Sequence, residues 1–132
     1  MEYNKENLEL VSKIIMANLT PDLLPKKWLE RNASNPTFGH CHTASGCLQK
    51  VFGTKNIKMY RGHDGEIYHW WAVDKDGVRI DLTADQYYSV DKTPPYDVGE
   101  KSSILGFDYR KRVLKLLDKV TKELSSNGTP LM

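Results

Sequence analysis

An α+β domain is the fold class that this sequence predicts: an antiparallel sheet packed against a central helix, with flanking N- and C-terminal helices. Three observations carry it. Apolar residues recur at helical spacing near both ends, over residues 7–18 and 108–124. Three strand-like runs (57–61, 66–74 and 78–82) follow one another, joined by Gly- and Asp-rich turns that suit antiparallel neighbours. Ahead of them, residues 41–52 mix Thr43, Ala44, Ser45 and Gly46 with Leu48, Val51 and Phe52, the composition of a helix that another element approaches closely.

The 132 residues are most simply one domain, 1–132, with a single core. A hydrophobic share of 39% and three Trp suit a folded chain rather than a disordered one. The 19 basic and 17 acidic residues are interspersed and leave a net charge of +2, so neither nucleic acid nor an anionic membrane is an expected partner. No apolar run approaches the ~20 residues of a membrane span, and Met1-Glu2-Tyr3-Asn4-Lys5 opens no signal-peptide apolar region. A cytoplasmic protein is the expectation.

Residues 7–18 place Leu8, Val11 and Ile15 on one helical stripe, with Ile14 and Leu19 beside it. Thr20-Pro21-Asp22 reads as an N-cap followed by proline at the first position of a short second helix towards Trp28 and Leu29, with Pro25 in its first turns. Residues 31–38 are loop chemistry and lead to Gly39-His40-Cys41, where the next helix starts; Gly53 is suited to end it. Gly62-His63-Asp64-Gly65 and Asp74-Lys75-Asp76-Gly77 are the two turns between strands. Residues 84–88 suggest a turn of helix, and 89–103, with Pro94-Pro95, a long irregular loop of the kind that covers binding sites. The final helix carries Tyr109, Val113, Leu116, Leu117, Val120 and Leu124 at helical spacing, and a frayed tail is expected over 125–132.

Asp74-Lys75-Asp76-Gly77-Val78 suits a three-residue hairpin loop, a type I turn with Gly77 in the left-handed conformation. That register sets Asp74 opposite Val78, Trp71 opposite Asp81 and His69 opposite Thr83. His69, Trp71 and Asp81 then share one face, with His69 and Asp81 as diagonal neighbours. A two-residue loop would send His69 and Asp81 to opposite faces.

Cysteine, histidine and aspartate in these settings are the layout of a thiol nucleophile with its base and orienting acid. A cysteine in the first turn of a helix is ionised more readily by the orphan amides and the positive end of the dipole, and the same N–H groups can stabilise an oxyanion. On this reading Cys41 is the nucleophile, His69 the general base and then acid, and Asp81 the residue that sets the imidazole's tautomer and orientation. Trp70 or Trp71 would shield the pair from water, and His40 and His42 would line the pocket. Blander readings stand beside it. Cys41 alone also reads as a small buried hydrophobe, as Cys47 does outright; His69 as a satisfied half-buried histidine; Asp81 as a cap on the 84–88 turn. On one helix, Cys41 and Cys47 would be ~9 Å apart along the axis on different faces, too far for a disulfide. His40, Cys41 and His42, with His63 and His69 further on, also suggest zinc, although no CxxC or HxxxH spacing accompanies them. His63 reads as a solvent-exposed turn residue.

The run from Asn35 through Gly39-His40-Cys41-His42-Thr43-Ala44, the pair His69-Trp70, and Asp76-Gly77-Val78-Arg79-Ile80-Asp81-Leu82-Thr83-Ala84-Asp85-Gln86 resemble the YunG-like family of small bacterial proteins. The resemblance covers about residues 35–86 and reaches loosely through Ile104-Leu105 and Arg110-Lys111-Arg112 into the last helix. His40 stands where the family pattern has glutamine, and Gln86 matches a motif position. More distantly, the helix-start cysteine, the His-x-Trp strand and the aspartate strand look like the transglutaminase and papain-like cysteine-enzyme core. That likeness implies peptidase, amidase, deamidase or acyl-transfer chemistry through a thioester, with Cys41, His69 and Asp81 in the roles given above and His40, His42, Trp70, Trp71 and Gln86 as pocket candidates. No cofactor is expected, and the partner would be a protein, peptide or small amide substrate. A catalytically inactive binding module of the same fold is the first alternative, and a metal-binding protein using His40, Cys41 and His42 the second.

Overall fold

Asn4 caps the first helix, α1 (Lys5–Ala17), its side chain accepting a hydrogen bond from the Asn7 N–H at 2.8 Å. The computed structural model of the chain describes residues 1–103 and 106–126; Ile104-Leu105 and the tail from 127 lie outside the described residues. After α1 the sequence predicts one short helix from Pro21 and a loop over 31–38. Instead there are two 3₁₀ turns (Pro21–Leu23 and Lys26–Trp28), and then α2 (Leu29–Ser34). Pro25 has no N–H to give and divides the predicted helix, so the turns of α2 form later, inside the predicted loop. The loop proper begins at Asn35. Buried Asn32 holds it, with Nδ2 donating to the Pro36 and Phe38 carbonyls at 3.0 and 2.9 Å, and Asn35 Nδ2 donates to the Gln86 carbonyl at 2.8 Å.

The central helix α3 (Cys41–Phe52) ends at Gly53, whose φ of +89° favours glycine. It lies between the sheet and the pair formed by α1 and α5 (Phe107–Ser126). Val11, Ile15, Cys47, Leu48, Leu116 and Val120 meet in that core with Ile57 and Ala72 of the sheet. Gly46 is where the small-residue reading is explained: a Cβ there would meet Val113 Cγ2 at 2.7 Å, and Val113 is fully buried. Gly46→Ala therefore sets a helix-propensity gain of about 1 kcal/mol against an overpacking cost of about 1–3 kcal/mol. A net loss of about 1 kcal/mol is expected, read as a lower urea midpoint at unchanged slope.

Four antiparallel strands make the sheet in the order β3-β2-β1-β4: β1 (Ile57–His63), β2 (Tyr68–Asp74), β3 (Arg79–Ile80) and β4 (Glu100–Ser102). Ala72 pairs with Ile80 and Val73 with Arg79, and the Asp74 N–H donates to the Val78 carbonyl at 2.9 Å. This is the three-residue loop register. Gly77 has φ +81°, and Asp74 Oδ1 accepts from the Asp76 and Val78 N–H groups, each at 2.9 Å. β2 starts two residues later than predicted because Asp64 Oδ1 accepts from the Glu66 and Ile67 N–H groups and folds both into the turn.

The predicted loop over 89–103 contains the unpredicted strand β4, which pairs with β1 at the sheet edge, and a 3₁₀ turn at Tyr96–Val98. The segment lies over the sheet face away from α3: the Pro95 carbonyl approaches Gly62, and Gly99 lies against the Trp71 ring. The short helix α4 (Asp85–Tyr88) precedes it as expected. Both faces of β2 are thus covered, which is why consecutive His69, Trp70, Trp71 and Ala72 are all buried.

Candidate active site

Cys41 is the first residue of α3. No side chain caps this helix start and no acidic residue occupies its first turn, so its N-terminal amides and positive dipole end are not neutralised locally. Cys41 is 7% exposed and borders a cavity of about 240 Å³. Cys47 lies six residues further on in the same helix, fully buried in the main core, where burial pushes its thiol up to about 12. Both cysteines are free.

Beyond Ile80 the β3 strand ends, so β2 at His69 is paired with β1 alone. Asp81 begins the turn that follows. Its carboxylate meets His69 Nε2 at 2.6 Å, with the two side chains 0% and 5% exposed. Nε2–H donates in this pair, which leaves Nδ1 on the other side of the ring. Nδ1 has no hydrogen bond of regular geometry, yet the Cys41 side chain is close enough to act on the imidazole through hydrogen bonding and charge. Burial is the largest influence on the imidazole and favours its neutral form. The hydrogen bonds and charges of Asp81 and Cys41 outweigh it and raise the pKa to about 9.

Asp81 is itself held from three directions. Oδ2 also accepts from the Tyr96 hydroxyl at 2.7 Å, and Oδ1 accepts from the Thr83 N–H at 3.1 Å. The reading of Asp81 as a cap on the 84–88 turn is not met: Ala84 precedes α4 with no side-chain cap, and Asp81 instead closes an Asx turn onto Thr83 ahead of it. Tyr96 is pushed above the ordinary tyrosine value by burial and by Asp81, so it stays a neutral donor. Arg79 stacks over its ring at 3.5 Å. Around the imidazole, Trp71 stacks at 5.8 Å and Tyr87 stands edge-on at 4.8 Å, its hydroxyl donating to Asp64 at 2.6 Å. Of the two candidate shields, Trp71 covers His69, while Trp70 clusters with Cys41 and Met59 on the opposite face.

The pocket candidates divide. His42 and Trp70 line the Cys41 cavity, and Gln86 lines a separate one of about 740 Å³ with Asn35, Phe38 and Tyr87. The two cavities share Glu66 and Ile67 of the β1–β2 turn, where Glu66 is ion-paired with Arg31 of α2. His40 and Trp71 belong to the packed interior instead. His40 is 1% exposed with neither ring nitrogen hydrogen-bonded, and Trp71 is enclosed by Gly99 and Tyr96. Burial brings both His40 and His42 down to about 4, with nearby Asp22 opposing for His40 and Arg112 assisting for His42. Among the described residues no three His, Cys, Asp or Glu side chains are grouped to hold a metal ion. Consecutive residues at a helix start diverge by about 100° each, so His40, Cys41 and His42 do not converge. His42 packs instead on Trp70 and Tyr109, with ring centroids at 4.6 and 4.8 Å. His63 is exposed, as expected, at the mouth of the Cys41 cavity.

Tyr96 and Tyr87 are the site residues that the sequence did not signal. Tyr87 sits in the single turn of α4, too short for a periodicity to read, and Tyr96 in an irregular segment where only Pro94-Pro95 ahead of it marks a rigid approach. Among the described residues no helix is long and apolar enough to cross a membrane. A family model described as YunG protein matches residues 8–125. No curated protein and no solved structure matches the chain.

Proposed function

We propose that this chain, which belongs to the YunG family, is a thiol hydrolase or acyltransferase acting on an amide or peptide-like bond. One observation carries the reading: the His69 ring is hydrogen-bonded to Asp81 through Nε2 and is close enough to Cys41, a cysteine at a helix start, to be influenced by its side chain. In the proposed reaction the Cys41 thiolate attacks the carbonyl carbon, a C–S bond forms, and the carbonyl electron pair moves onto oxygen. The uncapped first-turn N–H groups of α3 are the donors available to that oxyanion. Collapse breaks the C–N bond, and the imidazolium of His69 gives its proton to the leaving amine. Water or an acceptor amine, deprotonated by His69, then attacks the thioester; the C–S bond breaks and the thiolate and imidazolium are restored. An imidazole raised to about 9 is protonated at neutral pH, which suits the acid step.

The proposal keeps the transglutaminase and papain-like chemistry as its pattern for the roles of Cys41, His69 and Asp81, and two free, buried thiols suit a reducing, cytoplasmic setting. The test is labelling of purified protein with a cysteine-directed acyl electrophile, located by peptide mass spectrometry. Modification is expected at Cys41 and not at Cys47, and to vanish in Cys41→Ala. Modification of Cys41 no faster than of a model thiol would reject the enzyme and favour the inactive binding module.

A further inference from the structure

The geometry points to a carboxylate as the substrate group seated next to Cys41, in the cavity of about 240 Å³ that this residue borders. This rests on the thiol-nucleophile reading and adds the class of substrate. The cavity is smaller than the roughly 300–1,000 Å³ typical of drug-sized ligands, so it holds one side chain or one small acid. Its walls are aromatic, with Trp28, Tyr68, Trp70 and Tyr109 among them, and two guanidinium groups, Arg61 and Arg112, enter between the rings.

The charges in those walls leave a positive remainder. Arg61 lies over Tyr68 and Trp70, at 4.3 and 5.6 Å from the ring centroids, and its buried Nε has no hydrogen-bond partner. That Nε forms a long ion pair with exposed Glu100 at 3.6 Å, so the uncompensated charge of the walls rests on Arg112. Arg112 stacks on Tyr109 at 5.4 Å and takes part in no ion pair among the described residues. Glu66, the acidic residue of this lining, is engaged by Arg31, and His42 is neutral at physiological pH because burial holds it near 4. Guanidinium donors in a site walled by apolar rings act in a lowered dielectric, where a carboxylate is recognised by charge and by paired N–H donors together.

Iodoacetate and iodoacetamide test this, since they differ in little but charge and both alkylate Cys41. The second-order rate ratio, iodoacetate over iodoacetamide, is measured at Cys41 and on glutathione as the model thiol. The ratio at Cys41 is expected to exceed that of glutathione by about tenfold. The His69 imidazolium also attracts the anion, so the variants decide. Arg112→Gln is expected to lower the ratio severalfold, and Arg112→Lys to keep most of it. Should Arg112→Gln fail to fold, Arg61→Gln reads the same ratio from the other guanidinium. A ratio unmoved by removing the guanidinium overturns the carboxylate site. Failure of the nucleophile reading is a separate result: iodoacetamide would react with Cys41 no faster than with glutathione, while the ratio is still read from the slower rates.

Discussion

Replacing His69 by alanine is expected to slow acylation of Cys41 at pH 7 by about 10²–10⁴-fold, the usual range for a positioned general acid–base group. The imidazole is fully buried, fixed by Asp81 at 2.6 Å and flanked by Trp71 and Tyr87, so no other base occupies its place. Asp81→Asn should cost less than His69→Ala, because it alters the tautomer and charge of a ring that is still present. The double variant should be little worse than His69→Ala alone, since groups that act as a unit are not additive. His69→Gln provides a side chain of similar reach if the alanine variant unfolds. The pH–rate profile gives an independent readout: a wild-type profile shaped by an imidazole near 9 should lose that limb when His69 is gone. Equal labelling of wild type and both His69 variants would remove the residue from the mechanism.

Stability should fall steeply on acidification through pH 6.5 to 4. His40 and His42 are buried and held near 4 against an ordinary 6.5, so the unfolded chain binds more protons than the folded one throughout that window. Their contribution is therefore complete above 6.5 and lost as pH drops towards 4. Each is worth at most roughly 3 kcal/mol. Together that is comparable with the about 5–15 kcal/mol by which small domains are stable. His69 acts in the opposite sense: with its pKa raised to about 9, it stabilises below 6.5, and that contribution is lost as pH rises through 9. Urea unfolding from pH 4.5 to 9 should thus show a maximum near neutrality. His40→Gln should flatten the acid limb, because glutamine does not titrate. An acid limb unchanged in that variant, or equal stability at pH 7 and 4.5, would contradict the assignment.

Much of this arrangement was legible without coordinates because it is local. The hairpin register follows from Asp74, Asp76, Gly77 and Val78, four positions apart at most, and once it is set His69 and Asp81 have no choice of face. The start of α3 at Cys41 and its end at Gly53 are likewise decided by neighbours in sequence, and Gly46 announced the close approach of another element without saying which. What was misread also has a local cause. Asn32 has loop composition, yet its buried amide spends its hydrogen bonds on the Pro36 and Phe38 carbonyls from inside a helix. Residues 100–102 have no strand pattern of their own and become β4 because β1 offers them an edge.

The sequence by itself determined the succession of α1, α3, the strands β1 to β3, α4 and α5, the pairing of His69 with Asp81, and the helix-start setting of Cys41. Each depends on turn geometry or periodicity within a few residues. Only the tertiary structure decided that Tyr96 holds Asp81, that Trp71 rather than Trp70 covers the imidazole, and that His40 is interior while His42 borders the cavity. It also decided that Arg61 and Arg112, from a strand and a distant helix, line one pocket. These are contacts between segments tens of residues apart, set by how whole layers pack, and no local periodicity encodes them.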